Sequence, residues 1–157
     1  HYDWAKAVAG ELSTSVCNLQ NVVCSVLEQL KSAERALSEA QKKLLISEIP
    51  AMRARCGRSS SGYAVIAEQI EGDAAAAREL ATALAAEMGT IALIGAGSGD
   101  AYVYVACRSG DAAANMGAIL SQAAKASGGK GGGRPDFAQG GGPFVMLDRM
   151  REAALST

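Results

Sequence analysis

Aromatic residues are scarce: two Phe, four Tyr and one Trp make up 4% of the 157 residues. A core of stacked rings is excluded, so any core must be close-packed Val, Ile, Leu and Ala. Histidine occurs once, as His1. Serine is plentiful, but no second histidine exists to activate it, and nothing fixes His1 beside a carboxylate. The four cysteines, Cys17, Cys24, Cys56 and Cys107, form no C-x-x-C. With one histidine they cannot supply four metal ligands at workable spacing. They read as free thiols of a reducing compartment. Cys17 and Cys24 share a helix face two turns apart, out of reach of a disulfide with each other but open to pairing between subunits. Neither charge sign dominates: 15 Lys and Arg face 16 Asp and Glu, a net of -1. That argues against binding polyanions over the whole surface and leaves room for a local basic patch. No run of 18 apolar residues exists, and no signal peptide. The expectation is a cytoplasmic protein with no membrane partner. The chain starts in mid-pattern without methionine and reads as part of something longer.

What is present begins with periodicity. Residues 2–9 suggest a short helix that Gly10 weakens, and Ser13, Thr14 and Ser15 offer N-caps for the next one. Val16, Leu19, Val23, Val26, Leu30, Ala33, Leu37, Ala40 and Leu44 then step by three and four without a miss. These are four heptads of a and d positions. The d positions shrink from Leu19 and Val26 to Ala33 and Ala40, which lets a partner helix approach closely. Two readings stand: an amphipathic helix on its own domain's core, or a coiled-coil seam within a hairpin or between subunits. The second is favoured, with Val16, Leu19, Val23, Val26, Leu30, Leu37 and Leu44 as the homodimer contact. Pro50 cannot continue a helix, so it opens a second short one ending at Gly57. Lys42, Lys43, Arg53, Arg55 and Arg58 cluster here and read as solvated helix surface.

A Ser-rich stretch at 58–62 separates this arm, residues 1–57, from a second domain over 62–157. Residues 64–70 suit a strand. Asp73 caps a helix predicted over 74–88, with Gly89 at its stop. Residues 90–94 and 101–107 suit a hairpin across Gly95-Ala96-Gly97-Ser98-Gly99-Asp100. A helix is predicted over 111–127, a glycine-rich loop over 128–142 with a short edge strand at 137–139, and a closing helix over 144–155. The fold class is α+β: a long coiled-coil-type helical arm, then a small mixed β-sheet packed with helices.

Chemical motifs fail one by one. Gly95-x-Gly97 is no dinucleotide loop, because Asp100 stands where the third glycine belongs and a strand follows. Lys130 is followed by Gly131, so there is no phosphate loop of the G-K-[ST] kind. Asp136 and Asp148 are carboxylates with no sign of convergence. No catalytic constellation and no metal site is found, and none of the chain's own residues calls for a cofactor. There remains Gly128-Gly129-Lys130-Gly131-Gly132-Gly133-Arg134-Pro135-Asp136-Phe137-Ala138-Gln139-Gly140-Gly141-Gly142. Glycine lets another backbone come close, exposed amides can cradle anions, and Arg grips phosphate bidentately. Composition alone also fits a flexible linker. The non-repetitive Arg-Pro-Asp-Phe-Ala-Gln insert between two glycine runs argues against one.

This run resembles the signature of the DHH-associated domain at the C-terminus of alanyl-tRNA synthetases and of long, free-standing alanyl-tRNA editing proteins. That pattern reads roughly G-G-[KR]-G-G-G-[RK]-P-[DE]-x-A-Q-x-G-G. The heptad helix resembles the arm that joins the editing domain to this one. Tyr2-Asp3-Trp4 and Leu12-Ser13-Thr14-Ser15 resemble the join itself. The resemblance implies that the parent hydrolyses mischarged tRNA-Ala, or in a synthetase also charges it with alanine. The zinc site for that hydrolysis belongs to an editing domain absent here, so no cofactor and no enzymatic activity is expected of this piece. Its implied share is tRNA contact, through Gly129, Lys130, Gly131, Gly132, Gly133, Arg134 and Gln139, together with homodimerisation. Gln139 and Asp136 could equally fix the loop's shape. The Leu-Ser-Thr-Ser stretch leans towards a free-standing editing protein. Two further readings compete: a dimerisation module whose glycines pack on their own sheet, and a phosphoesterase or deacylase in its own right. Related phosphoesterases carry a His after the glycine run where Arg134-Pro135-Asp136 stands here, which speaks against the last.

Overall fold

A computed structural model describes residues 3–11, 15, 18–98 and 101–157. Val16, Cys17, the stretch 12–14, His1, Tyr2, Gly99 and Asp100 lie outside the described residues. Six helices and six strands are described, in two compact units, residues 1–43 and 44–157.

The first unit holds α1 (Asp3–Glu11) and most of α2 (Leu19–Ser47). Heptad spacing predicted a helix over the seam, and α2 runs 29 residues without a break. None of its residues is buried. Of the seam, Leu19 is half-buried, while Val23, Val26, Leu30, Leu37 and Leu44 are exposed. Among the described residues no helix is long and apolar enough to cross a membrane. Pro50 acts as expected. It opens α3 (Ile49–Ala54), one residue after a turn at Glu48, but the helix ends at Ala54 rather than at Gly57, which lies in a strand.

The second unit is a six-stranded sheet in the order β1-β2-β3-β4-β6-β5. Its strands are β1 (Gly57–Arg58), β2 (Ala64–Ile70), β3 (Thr90–Ser98), β4 (Ala101–Arg108), β5 (Lys130–Gly133) and β6 (Phe137–Gly142). Only β2 and β3 run parallel, joined through α4 (Ala74–Ala85); every other pair is antiparallel. Strand residues alternate between faces, so each strand serves two cores. On one face Ile66, Ile70, Ala92, Ile94 and Val105 meet Ala77, Leu80, Ala81 and Leu84 of α4. On the other, Val65, Ile91, Leu93, Tyr104, Ala106 and Ala138 meet α5 (Met116–Ser127) and α6 (Met146–Leu155). The scarcity of aromatics is thereby explained: among the described residues, Tyr104 is the single ring with a fully buried side chain.

Three further expectations are corrected. Helix α4 stops three residues before Met88, and Gly89 instead turns the chain into β3 at φ 72°. Helix α5 starts at Met116, not at Asp111. The Asp111 carboxylate accepts the Gly89 amide at 2.8 and 3.0 Å, and Asn115 is the cap, accepting from Ala118 N at 3.0 Å. The largest correction concerns residues 128–142. They form a paired hairpin, with Lys130↔Gly141, Gly131↔Gly140, Gly132↔Gln139 and Gly133↔Ala138 in register; the strand expected over 137–139 is present and runs on to Gly142, but β5, read as loop, takes the sheet edge beyond it.

The reason is close packing by α5. A β-carbon on Gly140 would lie 2.6 Å from the Lys130 carbonyl and 2.8 Å from Leu120 Cδ2; on Gly131 it would lie 2.5 Å from Gly140 Cα and from the same Leu120 methyl. Gly129 and Gly142 make room for Met146 Sδ, at 2.9 and 2.7 Å. From the helix side, a β-carbon on Gly117 would strike the Gly133 carbonyl at 2.5 Å. Gly132 and Gly141 differ, since a β-carbon there meets nothing closer than 3.4 Å. Gly140→Ala should therefore destabilise the unit by about 1–3 kcal/mol, the usual cost of overpacking. Gly141→Ala should be neutral or stabilising, within about 1 kcal/mol. Thermal melts of the two variants check the contrast, and equal melting temperatures would refute it.

Candidate nucleic-acid interface

Residues of the glycine hairpin divide by what the fold already uses. A β-carbon on Gly129, Gly131 or Gly133 would strike backbone or core atoms, although Gly131 and Gly133 themselves are exposed. Lys130 is exposed, opposite Gly141. Arg134 is exposed in the turn between the strands and faces Asp136 at 3.5 Å. Both partners of that pair are mostly in solvent, so the pair is worth under about 1 kcal/mol and leaves the guanidinium usable. Lys130 and Arg134 stand at opposite ends of β5, roughly 13 Å apart along an extended strand. Reading the run as a loop brought them together; the strand separates them.

Gln139 is half-buried, and its Oε1 accepts from Arg78 Nη2 of α4 at 2.8 Å. Its carbonyl oxygen is thus committed to a positioning bond, while Arg78 itself is exposed and matched by a neutral amide. Arg78 lies 61 residues from Gln139, and no local pattern could have pointed to it. The hairpin turn is itself pinned. Met116 N and Gly117 N donate to the Pro135 and Arg134 carbonyls at 3.0 and 3.1 Å. With the Asn115 cap, these bonds saturate the α5 N-terminus, so that end of the helix is no anion site. Arg108 donates to the Pro135, Ser109, Gly110 and Ala112 carbonyls and is a staple, not a ligand-binding cation.

At the other end of β6, Pro143 and Phe144 leave the sheet. Their carbonyls accept the Tyr104 hydroxyl at 2.8 and 3.1 Å. Phe144 is 55% exposed, and its ring meets Tyr102 edge-on at 5.6 Å. In the sequence it read only as the start of the closing helix, which begins two residues later.

The remaining predicted groups do not converge. The basic cluster near Pro50 resolves into local pairs: Arg53 with Glu87 at 2.6 Å, Arg55 with Glu68 at 3.2 Å, and Arg58 with the Gly62 carbonyl. Asp136 pairs with Arg134, and Asp148 sits in the first turn of α6. Cys24, Cys56 and Cys107 are free thiols, and burial pushes the Cys107 thiol up. Among the described residues, no group of three His, Cys, Asp or Glu could hold a metal ion.

This hairpin and sheet match the DHHA1 domain model over residues 61–157. The chain belongs to the DHHA1 domain family. It is 35% identical to the alanine–tRNA ligase of Acidothermus cellulolyticus, covering 93% of this chain and 18% of that protein. It is 34% identical to the alanine–tRNA ligase of Idiomarina loihiensis, over 93% of this chain and 17% of the relative. The chain thus spans less than a fifth of the length of these relatives. Among solved structures it resembles the C-Ala domain of Aquifex aeolicus alanyl-tRNA synthetase, with a TM-score of 0.55, 23% identity, and coverage of 64% of this chain and 96% of that one. That likeness establishes a shared fold for the DHHA1 domain.

Tyr104 joins the DHHA1 core to the exposed end of the hairpin, and its ionisation tests the link. Burial above all, with Tyr102 and Asp148 nearby, pushes its phenol from the usual 10.0 up to about 12. The unfolded chain therefore loses this proton first. Stability from this group is complete below pH 10 and is lost as pH rises from 10 towards 12. Tyr104→Phe should remove that alkaline loss and itself cost about 0.5–1.5 kcal/mol for the missing hydrogen bonds. Urea unfolding at pH 9 and pH 11 measures both; an unchanged alkaline loss in the variant would assign it elsewhere.

Proposed function

We propose that this chain is a tRNA-binding and self-associating module, the C-terminal part of a protein that acts on alanyl-tRNA. One observation carries the RNA half: the fold leaves Lys130, Arg134 and Arg78 as exposed cations around a hairpin nearly free of side chains, in a chain similar to alanine–tRNA ligases. Side chains of that length, around bare backbone, suit phosphate contacts, which set position more than sequence choice. No catalytic role falls to these residues. Hydrolysis of mischarged tRNA-Ala, or charging with alanine, we assign to residues outside this chain, and any zinc with them. The names of the relatives support a ligase as parent, and the Leu12–Ser15 stretch supports a free-standing editing protein. The sequence upstream of His1 separates the two: class II synthetase motifs for the first, a short editing domain for the second.

Filter binding with a tRNA-Ala transcript at low salt tests the RNA half. The parent chain should bind with an affinity that falls steeply as salt rises. Lys130→Ala with Arg134→Ala should weaken binding about tenfold or more and flatten the salt dependence by roughly 0.7–0.9 per lost phosphate contact. Equal binding by parent and double variant would sink the assignment and favour a purely structural role for the hairpin.

The second half of the proposal rests on α2. Val23, Val26, Leu30, Leu37 and Leu44 repeat at heptad spacing and are 38–62% exposed. A second copy of the same helix is the occupant we assign, because one regular seam complements itself. Each leucine covered contributes about 1.5–3 kcal/mol at full burial. Light scattering should give a dimer for the chain and a monomer for Leu30→Glu with Leu37→Glu. A dimer that survives both charges would place the interface elsewhere.

A further inference from the structure

Phe144 is one of two phenylalanines in the chain, yet its ring is more than half in solvent, and Val145 beside it is 54% exposed. The exposure is not that of a frayed segment. The Phe144 backbone is held by the Tyr104 hydroxyl from below, while Met146 N donates to the Pro143 carbonyl at 3.0 Å as α6 begins. The Tyr104 phenol stays protonated up to about pH 12, so this tether persists at any ordinary pH. Tyr102 supports the ring from one side, edge to face, with the planes at 66°. The result is an aromatic group fixed in orientation with much of its surface free.

Its surroundings suit one kind of visitor. Phe144 follows Gly140-Gly141-Gly142-Pro143, and Gly142 is in register with Tyr102 on β4. Lys130 enters β5 opposite Gly141, at the same end of the hairpin. A flat apolar ring beside backbone free of side chains matches a nucleobase, whereas Lys130, in one row with Gly141, Val103 and Ala96, projects from the opposite, α4 face of the sheet. Bases stack on such rings whatever their identity, because every base has a π-face.

We propose that Phe144 is a base-stacking residue that receives an unpaired nucleobase of the bound RNA. This rests on the RNA-binding reading above and deepens it. Recognition would then depend on exposed bases as well as on charge, so a continuous duplex would be a poor ligand.

The test uses the 157-residue chain and a tRNA-Ala transcript. Phe144→Ala should weaken binding by about 5- to 150-fold, the range for one lost base–ring stack. The slope of affinity against salt should stay unchanged, whereas Lys130→Ala should lower it by roughly 0.7–0.9. Phe144→Trp should retain binding. Phe144→Leu, which keeps apolar bulk and loses the π-face, should bind as poorly as the alanine variant. If Phe144→Ala is unstable, the leucine and tryptophan variants carry the comparison, since both keep the contact with Tyr102 filled. In a Trp4→Phe background, the fluorescence of Phe144→Trp should be quenched as tRNA saturates the chain. Leucine binding as well as phenylalanine, or an unquenched tryptophan in the saturated complex, would overturn the stacking assignment while leaving RNA binding intact. A parent chain that does not bind the transcript at 50 mM salt would overturn both.

Discussion

Helix α5 lies against the glycine hairpin at backbone distance, and the architecture of the DHHA1 unit depends on that approach. Leu120 sits over Gly131 and Gly140, and Gly117 lets the first turn of the helix touch the Gly133 carbonyl. The helix amides at Met116 and Gly117 then bond the hairpin turn, so β5, β6 and α5 hold one another. Backbone this close gains dispersion contacts that larger residues could not make. It also fixes where the two ends of the hairpin point, and those ends carry Arg134 on one side and Lys130 with Phe144 on the other.

Tyr104 extends the same logic across the sheet. It stands in one lateral row with Gln69, Gly95, Gly140 and Gly131. A β-carbon on Gly95 would lie 2.8 Å from its ring and 2.3 Å from Gln69 Oε1. The largest buried side chain thus fits because its neighbour Gly95 has none, while Gly140 and Gly131 further along the row make room for Leu120. Its hydroxyl reaches past the core to Pro143 and Phe144 and turns an interior ring into the anchor of an exposed one.

Legibility followed the amount of side chain available to read. The α2 heptads and the Pro50 boundary were evident because periodicity and proline act locally. Strand β2 came out at its observed limits, since Ala64 to Ile70 is apolar and β-branched between polar flanks. Helix ends were missed where a distant group intervened: the helix predicted from Asp111 starts at Met116, because Asp111 serves Gly89, 22 residues away. Glycines give no hydrophobic period, so the hairpin read as a loop although its pairing is regular. Of the seven residues expected at the RNA face, Lys130, Gly131, Gly133 and Arg134 are exposed, while Gly129, Gly132 and Gln139 are half-buried, Gln139 beneath Arg78. Arg78 reaches Gln139 only through the fold, across 61 residues of sequence.

Glycines of the hairpin fall into two groups by what a β-carbon on them would meet. Gly129, Gly131, Gly133, Gly140 and Gly142 are each within 3.0 Å of an atom that a β-carbon would strike. Packing therefore accounts for them with no ligand at all, as the purely structural reading requires. Gly132 and Gly141 have room for a methyl group, and a glycine in a strand costs about 0.5–1 kcal/mol relative to alanine. Nothing inside the fold offsets that cost at these two positions. A strand glycine without an internal reason commonly marks close approach by something external. Gly141 is in register with Lys130, and Gly132 with Gln139, which holds Arg78. The two glycines that packing leaves unexplained thus lie beside two of the cations that the fold leaves exposed, which favours RNA contact over a hairpin that only packs on its own sheet.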